Sequence, residues 1–312
     1  MGPPVILITG ATACGKSAVA LGLAERLGGV VINADSMQLY RELSVLTARP
    51  SPADEARAPH RLYGIFSAAE RGSVGRWLPL ARTEIEAAVA AGRPAIVVGG
   101  TGLYFGALTE GLAGVPAIPE AVRAEARALL RCSGVAGIRA ELAAIDPEMA
   151  RRLHAGDWQR LLRAYEVMQA TGRSLAYWQA DPALEPPLGL PWQGYVLELP
   201  RGSLYRRIDR RFEAMLAAGA LEEVRALLTL GLEPSLPALR ALGIPHLLRH
   251  LAGELDRASA VEQAKQATRR YAKRQLTWQR NKMRSWNWLN AQETESFVDK
   301  IIPDMASFEL TR

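Results

Sequence analysis

The eight residues Gly10-Ala11-Thr12-Ala13-Cys14-Gly15-Lys16-Ser17 fit the pattern G-x-x-x-x-G-K-S in full. These residue types suit one task, the holding of linked phosphates. Glycines let backbone N–H groups turn toward an anion, Lys16 brings a point charge, and the Ser17 hydroxyl can ligate Mg²⁺. A chance match in a Gly/Ala-rich turn is disfavoured because the flanks also fit: an apolar β-branched run precedes the loop and a helical pattern follows it. Cys14 stands at a variable position of the pattern and reads as small filler rather than as a catalytic thiol. The loop alone does not say which phosphates are bound or what becomes of them.

Two further segments carry polar groups of the right kind, Asp35-Ser36-Met37-Gln38-Leu39-Tyr40 and Gly99-Gly100-Thr101-Gly102-Leu103-Tyr104. Each follows a short apolar run, as the phosphate loop does. In an open parallel sheet, ligands sit outside the carboxyl ends of the strands, so all three segments are expected at one crevice. Asp35 is a candidate general base; a helix cap or a Mg²⁺ neighbour is the plainer reading. The glycines around Thr101 allow close backbone approach and leave its hydroxyl to bond a ligand. A turn residue bonding locally is the plainer reading there.

The elements that must position these residues are legible from hydrophobic patterning. Strands are expected over 5–9, 30–34, 95–98 and 195–199, and helices over 17–27 and 75–91. Short apolar strands alternating with helices imply an α/β fold, a P-loop-type parallel sheet flanked by helices. Pro116 and Pro119 mark a change of character. From 120 to about 172 the pattern is helical, a Pro-rich stretch follows from Pro182 to Pro191, and after Pro200 the chain reads as helical almost to its end. The expected organisation is an α/β core of 1–118 and 193–312, interrupted by a helical insertion domain over 119–192.

Composition sets bounds. The chain has 312 residues, 49% of them hydrophobic and 22% charged, which fits an ordinary globular core and excludes general disorder. Two cysteines, Cys14 and Cys132, form no CxxC pair or Cys/His cluster, so neither a zinc site nor a disulfide framework is indicated. The expected setting is reducing and cytoplasmic, with no membrane association, because the apolar start is too short for a signal or a span. The net charge of +6, from 38 Lys+Arg against 32 Asp+Glu, is modest. Its distribution is more telling. Residues 263–292 contain no acid but hold Lys265, Arg269, Arg270, Lys273, Arg274, Arg280, Lys282 and Arg284, with Trp278, Trp286 and Trp288 interleaved. Lys265, Arg269 and Lys273 recur at i, i+4 and would share a helix face. Such a face suits RNA phosphates; for the tryptophans alone, a place in the core is preferred. Arg151, Arg152, Arg160 and Arg163 form a second basic set.

Taken together, GATACGKS, DSMQLY and GGTGLY resemble the bacterial tRNA dimethylallyltransferase (tRNA isopentenyltransferase) family, which carries these motifs in this order. The resemblance continues through Asp157-Trp158-Gln159-Arg160-Leu161-Leu162-Arg163-Ala164-Tyr165-Glu166-Val167, Leu204-Tyr205-Arg206-Arg207-Ile208-Asp209-Arg210-Arg211 and Ala272-Lys273-Arg274-Gln275-Leu276-Thr277-Trp278. It covers about 1–290. There are departures: Ala11 stands for the usual proline and Cys14 for the usual serine. Leu242-Gly243-Ile244-Pro245-His246 replaces a Gly-Tyr segment, and Pro59-His60-Arg61-Leu62 lacks one of two histidines.

What the resemblance implies is an enzyme that uses the loop for dimethylallyl diphosphate rather than for ATP hydrolysis. The prenyl group would pass to the exocyclic amine of the adenosine 3′ of the anticodon, with release of diphosphate. Asp35 is then the base and Thr101 helps hold the substrates, while Lys16, Ser17 and Arg207 or Arg211 neutralise the leaving group with Mg²⁺. A carbocation-like prenyl centre needs a stabilised anionic leaving group, so the chemistry agrees. The tRNA anticodon stem-loop would meet the turn of Asp35, Ser36, Met37 and Gln38, together with Thr101. In the insertion it would meet Arg123 and the run Gln159, Arg160, Leu161, Leu162 and Arg163. In the C-terminal stretch it would meet Lys273, Arg274, Gln275, Trp278 and Arg280. A monomer is the default, without support in the sequence. Rival readings are a small-molecule P-loop kinase, an adenylate isopentenyltransferase acting on free nucleotide, and a non-catalytic RNA-binding protein with a relict phosphate loop.

Overall fold

A computed structural model describes residues 3–180, 187–290 and 297–303. Part of the Pro-rich stretch, including Pro182, and Gln292 at the end of the acid-free run lie outside the described residues.

The sheet has six strands, all paired in parallel, in the order β3-β2-β4-β1-β5-β6. They are β1 (Val5–Gly10), β2 (Val30–Asn33), β3 (His60–Arg61), β4 (Ala95–Gly99), β5 (Trp192–Glu198) and β6 (Asn287–Asn290). Strands β1, β2 and β4 are buried at every position, which is why they read as continuous apolar runs rather than alternating ones. Helix α1 (Lys16–Leu27) returns from β1 and lays Val19, Ala20, Leu23 and Ala24 against Ile6, Ile8, Ile96 and Val98. It stops at Gly28, whose left-handed backbone caps it.

Helix α2 (Pro52–Arg57) starts at a Ser51–Asp54 capping box, and α3 (Val74–Ala90) starts at the Ser73 hydroxyl. The indole N–H of Trp77 on α3 donates to the Asn33 carbonyl at 2.8 Å, pinning that helix to the end of β2. Helix α4 (Gly102–Thr109) follows β4 directly. Two strands were not anticipated. The two residues of β3 are too few to show a period. The segment of β6 was expected to be helical and instead pairs along β5, with Trp286 just before it buried against Trp192 and Gly194. The core reading of that tryptophan therefore holds.

The chain divides into two compact units, 1–107 with 190–312, and 108–189. The smaller unit is helical: α5 (Glu120–Ile145, kinked at Gly134), α6 (Pro147–Arg152), α7 (Trp158–Thr171) and α8 (Leu175–Ala180). It has its own core, with Ile138, Leu142, Met149, Leu161 and Val167. Asp146 and Asp157 cap α6 and α7 with their side chains. In the larger unit, β5 leads into α9 (Arg201–Ala217), α10 (Ala220–Thr229), a short 3-10 turn, α11 (Ile244–Leu251) and α12 (Arg257–Lys282). Pro245 falls in the first turn of α11, where its missing N–H costs nothing. Among the described residues no helix is long and apolar enough to cross a membrane.

Candidate active site

The phosphate loop lies between β1 and α1, and the geometry of its backbone explains its sequence. Gly15 has φ of 101° at the N-terminus of α1, a conformation that disfavours any side chain. The loop borders a cleft of about 330 Å³ lined by Thr12, Gly15, Lys16, Ser17, Asp35, Gln38, Thr47, Ala48, Arg207 and Arg211. The amides at the start of α1 give this end of the cleft a positive potential.

Helix α9 adds two guanidinium groups. Arg211 donates to the Thr12 hydroxyl at 2.7 Å, and Arg207 reaches the Cys14 carbonyl at 3.4 Å. Burial pushes the pKa of Arg211 down from the usual arginine value, while the negative charge of Asp35 works to keep it up. Among the described residues no carboxylate forms an ion pair with Lys16, Arg207 or Arg211. Three cations gathered at one cleft, with Asp35 the carboxylate that shares its lining and none of the three in an ion pair among the described residues, form a site with excess positive charge suited to a strongly negative ligand.

Asp35 follows β2 at the other wall. Its backbone N–H donates to Asn33 Oδ1 at 2.8 Å, and its Oδ1 accepts from the Met37 N–H at 3.0 Å. Its Oδ2 points toward Gly100. Burial raises the phenol pKa values of Tyr63, Tyr104 and Tyr271, and the charge of Asp35 adds to each shift. Thr101 stands beside this turn as expected, but its hydroxyl is not free. It accepts from the Ser36 N–H at 3.0 Å and lies 3.3 Å from the Ser36 hydroxyl, so it ties the Asp35 turn to the loop after β4.

Gln275 of α12, expected at RNA, has its amide engaged within the protein. The side chain is buried, and its Oε1 accepts from the Thr12 N–H at 2.8 Å while its Nε2 donates to the Gly100 carbonyl at 2.8 Å. One amide thus fixes the phosphate loop in register with the loop that carries Thr101. One turn on, Gln279 donates to the Thr9 hydroxyl at 3.2 Å. A Cβ at Gly102 would collide with the indole of Trp278, so glycine at that position gives the ring its seat on the backbone.

The basic face of α12 is smaller than the sequence implies. Lys265 pairs with Glu213 and Arg269 with Asp209 and Glu262, the first two acids belonging to α9. Arg280, expected at RNA, pairs with Glu198 of β5. Lys273 and Arg274 are exposed and carry no ion pair among the described residues, with Arg274 lying 5.6 Å over the Tyr271 ring.

In the helical unit, the side chains of Leu161 and Leu162, expected at RNA, lie in the core, because α7 turns them inward. Arg163 reaches Glu166 at 3.8 Å and Arg160 reaches Asp157 at 3.5 Å. The charge of Arg123 also acts on Glu166. Gln159 is exposed. The wall formed by Thr47 and Ala48 had no signal in the sequence, since neither belongs to a motif and their place depends on a loop.

No group of three His, Cys, Asp or Glu that could hold a metal ion exists among the described residues. A cation at this site would have to be held jointly by phosphate oxygens and the exposed Ser17 hydroxyl, with Asp35 across the cleft.

The description "IPP transferase" belongs to the family model that matches residues 38–282. The chain is 60% identical to a tRNA dimethylallyltransferase of Rhodospirillum centenum over 90% of this chain and 89% of that protein. It is 52% identical to the tRNA dimethylallyltransferase of Rhodospirillum rubrum over 98% and 94% of the two chains. Among solved structures, a tRNA isopentenylpyrophosphate transferase of Bacillus halodurans superposes with a TM-score of 0.70 at 31% identity, over 97% of this chain and 96% of that one. A eukaryotic dimethylallyltransferase, described as acting on tRNA, shares the fold with a TM-score of 0.83 at 24% identity, over 99% of this chain and 80% of that one.

Proposed function

The chain belongs to the IPP transferase family, and on that premise we infer that it is a tRNA dimethylallyltransferase whose donor, dimethylallyl diphosphate, binds in the cleft of the phosphate loop. The acceptor is the exocyclic N6 amine of the adenosine 3′ of the anticodon. The observation that carries the reading is the set of unpaired cations, Lys16, Arg207 and Arg211, around the start of α1. A P-loop kinase would share the loop. It would not account for relatives that share half or more of their residues with this chain and are named for prenyl transfer to tRNA.

The chain's residues divide the work by position. Lys16, Arg207 and Arg211 take up the charge that grows on the diphosphate as its bond to the prenyl C1 breaks. The new bond forms between that carbon and the N6 nitrogen, and the surplus proton on nitrogen passes to the Asp35 carboxylate, whose Oδ1 is already oriented by Met37. Thr101 and Ser36 hold the turn in place. Mg²⁺ bound with the diphosphate at Ser17 would supply further charge neutralisation.

Lys273 and Arg274 are the cations of α12 assigned here to RNA phosphates; like Arg270 and Lys282 they are exposed and without an ion pair among the described residues, and they adjoin Gln275 at the site. The monomeric, cytoplasmic setting is part of the same proposal, consistent with two free cysteines. The test is mass spectrometry of nuclease digests of tRNA after incubation with enzyme and dimethylallyl diphosphate. A five-carbon addition on the adenosine 3′ of the anticodon is expected; addition at another nucleotide would overturn the acceptor assignment.

A further inference from the structure

One wall of the cleft has no part in phosphate chemistry, namely Gln38, Thr47 and Ala48. The loop that carries Thr47 and Ala48 is a single closed turn, and it is tied on two sides. On the cleft side, Gln38 Nε2 donates to the carbonyls of Thr47 and Ala48, each at 2.9 Å. On the far side, the carboxylate of Glu223, in the first turn of α10, collects three successive backbone amides. Its Oε2 accepts from the N–H groups of Ser44 and Val45, both at 2.7 Å, and its Oε1 accepts from the Leu46 N–H at 3.0 Å. The Ser44 hydroxyl adds a fourth bond at 3.1 Å. Water could satisfy amides at such a surface, so their convergence on one charged group is a device for shape. Within the loop, the Ala48 N–H donates to the Val45 carbonyl and the Arg49 N–H to the Ser44 carbonyl, both at 3.0 Å, closing a single turn in which Ala48 takes a left-handed φ of 51°; Glu223 caps the start of that turn and Gln38 its end.

We propose that Glu223 is a positioning residue of the donor site: through Ser44, Val45 and Leu46 it fixes Thr47 and Ala48, and through their carbonyls the Gln38 amide, at the wall the donor faces. It touches no reacting atom. The inference rests on the reading of the cleft as the site of a diphosphate donor. The carboxylate is suited to the task because it only accepts, whereas a glutamine would turn an NH₂ toward one of the amides. Its neighbour Glu222 pairs with Arg225 on the surface and provides a control of equal charge.

The experiment compares the full chain with Glu223→Gln, Glu223→Asp and Glu222→Gln. The readouts are KM for dimethylallyl diphosphate and for tRNA, Tm, and hydrogen exchange of the amides of residues 44–46. For Glu223→Gln the donor KM is expected to rise on the order of tenfold, the worth of one charge-assisted hydrogen bond. Exchange at the three amides should quicken while the KM for tRNA stays unchanged. Glu223→Asp should fall between, and Glu222→Gln should match the parent. Faster exchange with an unchanged donor KM would overturn the proposal, as would an equal rise in both KM values together with a lower Tm. If Glu223→Gln does not fold, Ser44→Ala removes only the hydroxyl bond, and a donor KM equal to the parent's would then count against the proposal. Should the parent transfer no prenyl group to tRNA, the functional reading fails by itself. The present inference is then judged on inorganic diphosphate, and equal affinities of parent and Glu223→Gln would overturn it.

Discussion

At the scale of the residue, the site depends on cations that form no ion pair among the described residues. Lys16 is half-buried at the start of α1, and its ammonium donates to the Ala11 carbonyl at 3.5 Å. Replacing it with alanine removes one charge-assisted contact to the donor, a loss of about 1.5–3 kcal/mol. Inorganic diphosphate, used as a competitive inhibitor, should therefore bind the Lys16→Ala variant more weakly by that amount; an unchanged inhibition constant would contradict the assignment of the loop. Asp35→Asn keeps the shape of the turn but removes the proton acceptor. Its kcat should fall by roughly 10²–10⁴, as for loss of a general base, while tRNA affinity holds. If tRNA affinity collapses and the bound fraction turns over normally, Asp35 binds rather than reacts. Both residues were legible from motif and position. Arg207 and Arg211 were reached only through resemblance, because nothing in a helical run of arginines says which of them faces a loop almost two hundred residues earlier.

At the scale of the element, α12 shows where sequence reasoning about charge runs out. A stretch without acids looked like a free basic face, but acids on α9 and β5 neutralise Lys265, Arg269 and Arg280 from across the fold. Arg270, Lys273, Arg274 and Lys282 stay exposed along the helix, and Lys273 with Arg274, next to Gln275, is the pair to test. Their double replacement by alanine should weaken tRNA binding and flatten the slope of log affinity against log salt by roughly one to two units, about one per lost phosphate contact. Parallel slopes with equal affinities would make this part of the helix a solvated face. The buried side of α12 was equally hidden, since a helical period places Gln275 inward without revealing that its amide will bridge two loops. Strand β6 was missed because its pairing with β5 is a tertiary fact, and the short run at its centre carries no period of its own. In the helical unit, the period of α7 does mark Leu161 and Leu162 as core, and the motif they belong to drew attention away from it.

That helix also supplies a pH test. Burial raises the pKa of Glu166 above the ordinary carboxylate value, with Arg163 and Arg123 opposing the shift. A carboxyl whose folded pKa is raised binds its proton more tightly in the native state, so its contribution to stability is present at low pH and is lost as pH rises through the folded pKa. The Tm of Glu166→Gln relative to the parent should thus become more favourable between pH 4 and pH 7; a difference that is flat with pH would place the Glu166 pKa at its ordinary value.

At the scale of the whole molecule, the parallel sheet brings three loops, distant in sequence, to the carboxyl ends of β1, β2 and β4, and two helices close the site behind them. Most of this was legible, because buried parallel strands announce themselves as apolar runs and the loops after them carry the motifs. The central claim is that this arrangement moves a prenyl group from a diphosphate to tRNA. The most direct measurement is incubation with prenyl-labelled dimethylallyl diphosphate and, in separate reactions, total tRNA or AMP. Label in tRNA and none in AMP is the expected result; label in AMP, or in neither acceptor, would contradict the account.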